Sequence, residues 1–583
     1  MQTIPTLFIE RAQSLPNVVA AWAPSPDPGD PFYLDLEAPD VSVVPGWTPA
    51  TYTHVLCQVA GLARRLSSMG VRRGVPVAIW APTSDRWTLV DMAIQCLGGI
   101  TVGIYPTLLD DAVRYQLEHS ESALLVVDDE HTAERGRALA EAIPSLVHVL
   151  SLRPSKHVPR LTPDDPDIAW LEATAARVRV DDVSTYIYTS GTTGHPKAVV
   201  LNHHNFTAVI DAVRTRLPLE PGERSVVFLP LAHVLQRFTQ YLGLADQTEG
   251  WFAPSIEALP DTIAVARPHV LATVPRMLEK IKSQVEIQAA AKSPRARSIL
   301  DWAVSVGQTV NDMQWRGHPV GWRLKAQHKL AEQLVFSKIR AGLGGHLRLL
   351  ISGGAALDPA LALWFEAVGI KVREGWGLSE TTAPATANGI DHYRFGTVGT
   401  ALPGTEVCIA DDGEVLVRGP GVFQGYLKDE AATSAAFNEE GYFRTGDLGR
   451  IEDGFLRIVG RKKEILVTAG GKNIAPVPIE QALEGGPVET AIVIGDDRPY
   501  LVALLALRPG ADESLVQPHV DQAMRDFPRF EQVKRWALMT DVPSEENGLL
   551  TPTMKLKRGV AIARFADVIQ ALYDKGSHLP VDS

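Results

Sequence analysis

The chain has 583 residues, a formal net charge of −12 and 45% hydrophobic residues. That length exceeds one ordinary domain and points to roughly three or four domain-sized units with extended cores. The acidic balance argues against broad nucleic-acid binding, while small anionic substrates stay open because local fields differ from the global sum. The three cysteines, Cys57, Cys96 and Cys408, have neither metal-ligand spacing nor a disulfide-framework pattern. They are predicted as thiols in a reducing compartment. The N-terminal MQTIPTLFIERAQSLP lacks a basic segment leading into an apolar one, so it does not read as a signal peptide. No stretch reads as a membrane span, which leaves peripheral membrane contact open.

In chain order, THVLCQVAGLARRLSSM at 53–69 has helical spacing, with Leu62, Leu66 and Met69 on one face. PVAIWAP is a short apolar run suited to a buried strand. WTLVDMAIQCLGGITVGIYP reads as a helix leading into a strand, and SALLVVDD and LVHVLSL repeat the strand signal. Strands separated by helices predict a parallel α/β arrangement. The alternation continues through SVVFLPL, ATVPRMLEKI and LRLLISGG. From about residue 400 the texture changes: GTEVCIADDGEVLVRGP and GFLRIVG predict a β-rich subdomain over about 400–460. A last α+β unit, 463–583, contains AIVIGDD, LVALLALRPG and a helical DESLVQPHVDQAMRDF. The predicted division is therefore 1–462 and 463–583.

The sharpest chemical feature is YTSGTTGHPK at 188–197, after the strand-like DVSTYIY. Gly191 and Gly194 permit close backbone approach to a ligand. The hydroxyls of Thr189, Ser190, Thr192 and Thr193 can donate to phosphate oxygens, and Lys197 adds positive charge, which together make an anion cradle. The loop is not a Walker A motif, because its lysine follows a proline and precedes Ala198. Simple P-loop hydrolysis or kinase chemistry is thereby disfavoured.

This string resembles the signature loop of the adenylate-forming (ANL) superfamily, which includes acyl-CoA synthetases, luciferases and peptide-synthetase adenylation domains. Further motifs follow in the family's order. LPLAHVLQR at 229–237 resembles the second motif, whose histidine, here His233, lies near the acyl carboxylate. The usual glutamate near its end is Gln236, which puts its pairing with Arg237 in doubt. SGGAAL at 352–357 could by itself be any strand-to-loop turn; the resemblance sets Gly353, Gly354 and Ala355 beside adenine. EGWGLSETT at 374–382 supplies an aromatic face, a hydroxyl and a carboxylate together. Glu374, Gly375, Trp376, Gly377 and Ser379 fall in the nucleotide-binding segment, with Trp376 in place of the usual base-stacking tyrosine. Glu380 matches a Mg²⁺-associated glutamate with Thr189 nearby, hard oxygens that suit that ion. YFRTGDLG at 442–449 places Asp447 where the family holds the ribose hydroxyls, and Arg461 fits a nucleotide-contacting arginine.

Lys463 matches the family's hinge position, and GGKNIAP at 470–476 matches a loop that lines the thiol tunnel through Gly470, Gly471 and Lys472. In LTPTMKLKR at 550–558 three cations compete for one role, and the family pattern favours Lys555 as the catalytic lysine over Lys557 and Arg558. The resemblance implies a large multi-subdomain N-terminal domain and a small mobile C-terminal α+β domain. It also implies a two-step reaction. ATP and a carboxylate give acyl-AMP, and coenzyme A then takes the acyl group, with Mg²⁺ assisting. The TPTMKLKR form and the VPRMLEKI segment resemble long-chain fatty acid–CoA ligases, so a medium- or long-chain fatty acid is the expected substrate. An acyl-AMP ligase serving a carrier-protein thiol, or a CoA ligase for another acid, is the competing expectation. The expected location is cytoplasmic or peripheral at a membrane, with no nucleic-acid partner.

Overall fold

Thr51 caps the helix Tyr52–Ser68 by accepting the His54 N–H. Leu62 and Leu66, four residues apart, are buried together as the sequence predicts, while Met69 becomes the C-cap residue. This is one element of a computed structural model that describes residues 2–27, 29–33, 44–189, 195–508, 510–544, 547–551 and 556–574. Ser190–Gly194 and Lys555 lie outside the described residues.

The chain divides into two compact units. The first comprises Met1–Val407 with Val417–Phe443, and the second Cys408–Leu416 with Arg444–Ser583. Within the first, the apolar runs form two large sheets. In a seven-stranded sheet, Val183–Thr189, Ile100–Ile104, Pro76–Trp80, Leu124–Val127 and His148–Ser151 run parallel in that order. All four residues of Leu124–Val127 are buried, because helices cover both faces of a parallel sheet and leave no polar side. Lys197–Asn202 and Gly425–Tyr426 extend this sheet antiparallel at one edge.

The nine-stranded sheet sets Leu349–Ser352 between Val270–Thr273 and Lys371–Leu378, all parallel. Its register sets Ser352 opposite Glu374. Two segments that the sequence places twenty residues apart therefore emerge side by side at the carboxyl ends of adjacent strands, where open α/β sheets bind ligands.

The second unit carries the hairpin of Phe443–Glu452 and Phe455–Arg461. It also holds a three-stranded sheet of Val488–Ile494, Leu501–Leu507 and Val533–Leu538. Both faces of that sheet are covered. Ala491 and Val493 pack with Ile479 and Leu483, whereas Ile492 and Ile494 pack with Ala561 and Ile569. The period of two in the sequence thus supplies two cores from one strand. The helical-looking DESLVQPHVDQAMRDF forms a shorter helix, Val516–Ala523, preceded by a single tight turn.

Candidate active site

In the first unit, the strands Val183–Thr189 and Lys197–Asn202 pair so that Thr189 faces Lys197, and the Thr189 hydroxyl lies 3.4 Å from the Lys197 carbonyl. They form the stem of the Gly-rich segment. At its far foot His195 stacks on Tyr115 with ring centroids 4.4 Å apart, and the Tyr115 hydroxyl donates to the Pro196 carbonyl at 3.2 Å. The Lys197 ammonium lies 4.8 Å from the centre of the Tyr426 ring. The Tyr426 hydroxyl in turn donates to a Glu380 carboxylate oxygen at 2.9 Å. Burial, and then the Glu380 charge, hold the Tyr426 phenol far above its ordinary pKa, so it stays a neutral donor. Lys197 and Glu380, far apart in sequence, thus meet at one tyrosine, with Thr189 paired to Lys197 across the stem.

His233 is the N-cap of the helix Val234–Asp246, and its Nδ1 accepts the Leu235 N–H at 3.1 Å. That bond leaves Nε2 to carry the proton of the neutral ring. Gln236 is buried; its carbonyl oxygen accepts the Leu229 N–H at 3.1 Å and its amide donates to Thr239 at 3.0 Å. The neutral amide therefore braces the 229–233 turn. Arg237 does not depend on residue 236 for a counter-charge: its guanidinium pairs with buried Asp91 and donates to the Thr185 hydroxyl at 2.6 Å.

The 353–357 loop leaves the nine-stranded sheet beside Gly375–Gly377. Gly353 backs onto the Gly375 carbonyl, where a Cβ would sit 3.6 Å away. Glu374 is buried, and its carboxyl accepts the Leu357 N–H at 3.3 Å. Burial pushes its pKa up to about 8. It therefore ties the loop down from beneath. Gly377 has no alternative: a Cβ there would lie 1.7 Å from the Ala383 carbonyl oxygen. Ser379 and the Trp376 ring are largely buried in the same strand and turn.

In the second unit, Asp447 and Arg461 are cross-strand partners, with Nε to carboxylate 2.9 Å. Gly446 turns at φ +71°, and its N–H donates to Glu414 at 2.9 Å. Lys462 bridges Asp412 at 2.6 Å and Glu414 at 3.1 Å. Lys463 is exposed in the turn Lys462–Glu464. Gly470, Gly471 and Lys472 form the exposed end of a hairpin between Leu466–Val467 and Asn473–Ile474. Arg558 is tied into this unit by Glu480 at 2.6 Å and the Val493 carbonyl at 3.0 Å. It is thereby committed to packing, which narrows the three-cation ambiguity.

A model of AMP-binding enzymes matches residues 33–427, and a model of the AMP-binding enzyme C-terminal domain matches 463–577. The chain belongs to the AMP-binding enzyme family. A protein of Mycobacterium bovis named long-chain-fatty-acid–CoA ligase FadD15 is 37% identical over 91% of this chain and 93% of its own length. A long-chain-fatty-acid–CoA ligase ACSBG1 of Bos taurus is 29% identical over 94% of this chain and 85% of its own. Among solved structures, the adenylation domain of a carboxylate reductase from Mycobacterium chelonae aligns with TM-score 0.76 at 19% identity, covering 98% of this chain and 91% of that one. The last supports the fold alone. All of these span nearly the whole chain, so the large N-terminal and smaller C-terminal domains of AMP-binding enzymes are both present.

The donor set fits Mg²⁺ as AMP-binding enzymes are expected to use it. Among the described residues no group of three or more His, Cys, Asp or Glu gathers into a cage. Glu380 offers hard carboxylate oxygen beside the Tyr426 hydroxyl, which suits an ion held mainly by substrate phosphates and water. Tyr426 and Tyr115 were not singled out by the sequence analysis. Neither sits in a glycine-rich or charged string, and only the folded chain brings them to the loop stem. Among the described residues no helix is long and apolar enough to cross a membrane.

Proposed function

We propose that this AMP-binding enzyme joins a medium- or long-chain fatty acid to coenzyme A through an acyl-AMP intermediate. The observation that carries the reading is the meeting of Lys197 and Glu380 at Tyr426, with Thr189 paired to Lys197, in a chain 37% identical to a named long-chain ligase over nine-tenths of its length.

In the first half-reaction a carboxylate oxygen attacks the α-phosphorus of ATP. A phosphorus–oxygen bond forms, the bond to the β-phosphate bridge breaks, and pyrophosphate leaves with the electron pair. Lys197, held on its strand opposite Thr189, and the loop before it hold phosphate oxygens by charge and hydrogen bonds. Asp447 takes the ribose hydroxyls, and Arg461, its cross-strand partner, aims that carboxylate. Glu380 and Thr189 would hold Mg²⁺, which would supply neutralisation of phosphate charge. His233 presents Nε2–H to the acyl carboxylate. Lys555 stabilises the leaving charge.

In the second half-reaction the thiolate of coenzyme A attacks the acyl carbonyl, and AMP leaves. Rotation about Lys463 exchanges Lys555 for the Gly470, Gly471 and Lys472 loop, so one cavity serves two reactions in turn. No covalent protein nucleophile is required, because the carboxylate is the nucleophile.

The acyl assignment is tested by chain length. Each buried CH₂ is worth about 0.8 kcal/mol, so four more give about 3 kcal/mol, roughly a hundredfold if retained in the transition state. The expected result is kcat/KM rising from about C8 to about C14, measured as initial AMP formation below each acid's aggregation threshold. Best activity with acetate, benzoate or a hydroxycinnamate defeats the assignment.

A further inference from the structure

Residues 276–342 depart sharply from the acidic character of the chain. They hold twelve Lys and Arg against five Asp and Glu, a local charge of +7 in a protein of net −12. They fold as the helices Pro275–Lys292, Pro294–Trp315, Trp322–Ala331 and Ser337–Gly342, the last two joined through the wider turn Glu332–Phe336. Four of the acidic residues are spent locally, Asp312 on Arg316, Glu332 on Arg340, and Asp301 and Glu286 on Arg297. Between Arg316 and Ala331 there is no acidic residue, while Arg323, Lys325 and Lys329 are all exposed.

The helix Trp322–Ala331 packs on Pro294–Trp315, yet Ala331 is its sole buried residue. Trp322, Ala326 and Leu330 recur every four residues along it and all are exposed, and exposed Leu334 continues the row into the next turn. Trp322 is 75% exposed, Trp315 59%, Leu330 47% and Leu334 42%. The Arg323 guanidinium lies over the Trp322 ring at 5.3 Å. Two exposed tryptophans and two leucines cost free energy in water unless something covers them. The apolar row flanked by cations is the composition of a helix lying in a lipid headgroup layer, where indole sits at the interface and Lys and Arg meet anionic headgroups.

We propose that the helix Trp322–Ala331, with Trp315 and Leu334, docks the enzyme on an anionic lipid bilayer. Charge complementarity selects the occupant. The patch is basic within an acidic molecule, so an anionic surface attracts this face and repels the remainder, which orients the protein as well as binding it. The fatty-acid reading gives the docking a use, since long acids partition into bilayers, but the charge and exposure stand without it.

The test is vesicle flotation with the full chain, read without turnover so that it does not depend on which acid is activated. The expected result is binding to phosphatidylcholine vesicles containing about one third phosphatidylglycerol, loss at high salt, and little binding to pure phosphatidylcholine. Combining Arg323→Glu, Lys325→Glu and Lys329→Glu should weaken anionic-vesicle binding at least about a hundredfold, near fivefold per cation removed. Combining Trp322→Ala and Leu330→Ser should weaken vesicle binding while leaving heparin binding unchanged. Pyrophosphate release with octanoate, a water-soluble acid, should match the parent in both variants and so report intact folding. Equal flotation on neutral and anionic vesicles, no flotation, or flotation unaffected by either variant overturns the proposal. Loss of vesicle and heparin binding by the charge variant alone, with the Trp322/Leu330 variant unaffected, identifies a general polyanion surface and also overturns it.

Discussion

Glu374 shows how far a single side chain can depart from its sequence appearance. As one acid in a glycine-rich string it reads as a nucleotide contact; in the fold it is buried beneath the 353–357 loop, holding the Leu357 N–H. Because burial raises its pKa to about 8, the folded chain keeps a proton that the unfolded chain releases above the ordinary carboxylate range. Its contribution to stability is therefore complete at low pH and is lost as pH climbs toward about 8. Glu374→Gln should flatten that loss, by at most about 1.4 kcal/mol per pH unit, seen as a smaller fall in Tm between about pH 5 and about pH 8.5 than in the parent. Equal slopes in the two proteins contradict the buried-acid account. Tyr426 is the converse case, a residue with no motif that the fold makes central. Tyr426→Phe removes a hydrogen bond to a charged group, worth about 1.5–3 kcal/mol. It should lower kcat/KM for ATP about ten- to hundredfold and raise the Mg²⁺ concentration needed for half activity, with Tm nearly unchanged. An unchanged Mg²⁺ requirement removes Tyr426 from the positioning of Glu380.

At the scale of elements, the parallel sheets are legible because buried strands must be continuous apolar runs, as in LLVV at Leu124–Val127. The helix Tyr52–Ser68 is legible from its apolar spacing, although the fold buries it on every side between Leu56 and Ala63. The helices Pro294–Trp315 and Trp322–Ala331 are harder to read. Much of their surface is exposed and charged, so the apolar stripe of Leu300, Ala303, Val306 and Val310 is narrow and the second helix buries one residue. Pairings between distant segments, such as Asp447 with Arg461 and Ser352 opposite Glu374, are set by strand register, which no local pattern encodes. The family resemblance supplies those neighbours where spacing does not. The C-terminal segment yields a further expectation. With Arg558 engaged by Glu480, Lys555→Ala should lose most acyl-AMP formation yet retain much of thioester formation from preformed acyl-AMP. Single-turnover assays of the two halves measure this, and equal losses in both sink the assignment of Lys555 to the first half.

For the whole molecule, the account is a division of labour. The first unit holds the stem of the Gly-rich segment, the Tyr426–Glu380 contact and the 353–357 loop; the second holds Asp447, Arg461 and the Lys463 turn. Lys197, Glu380, Asp447 and Lys555 are proposed to act on the AMP and carboxylate portion that all acids share, so adenylation stands apart from tail length and from the acceptor. The most direct measurement of that central claim is pyrophosphate release from ATP and Mg²⁺ across a panel of carboxylic acids, each with and without coenzyme A. The account requires release that depends on the acid, with AMP and an acyl-CoA thioester accumulating over many turnovers when coenzyme A is present. Pyrophosphate release that is the same with no acid as with every acid added would contradict it.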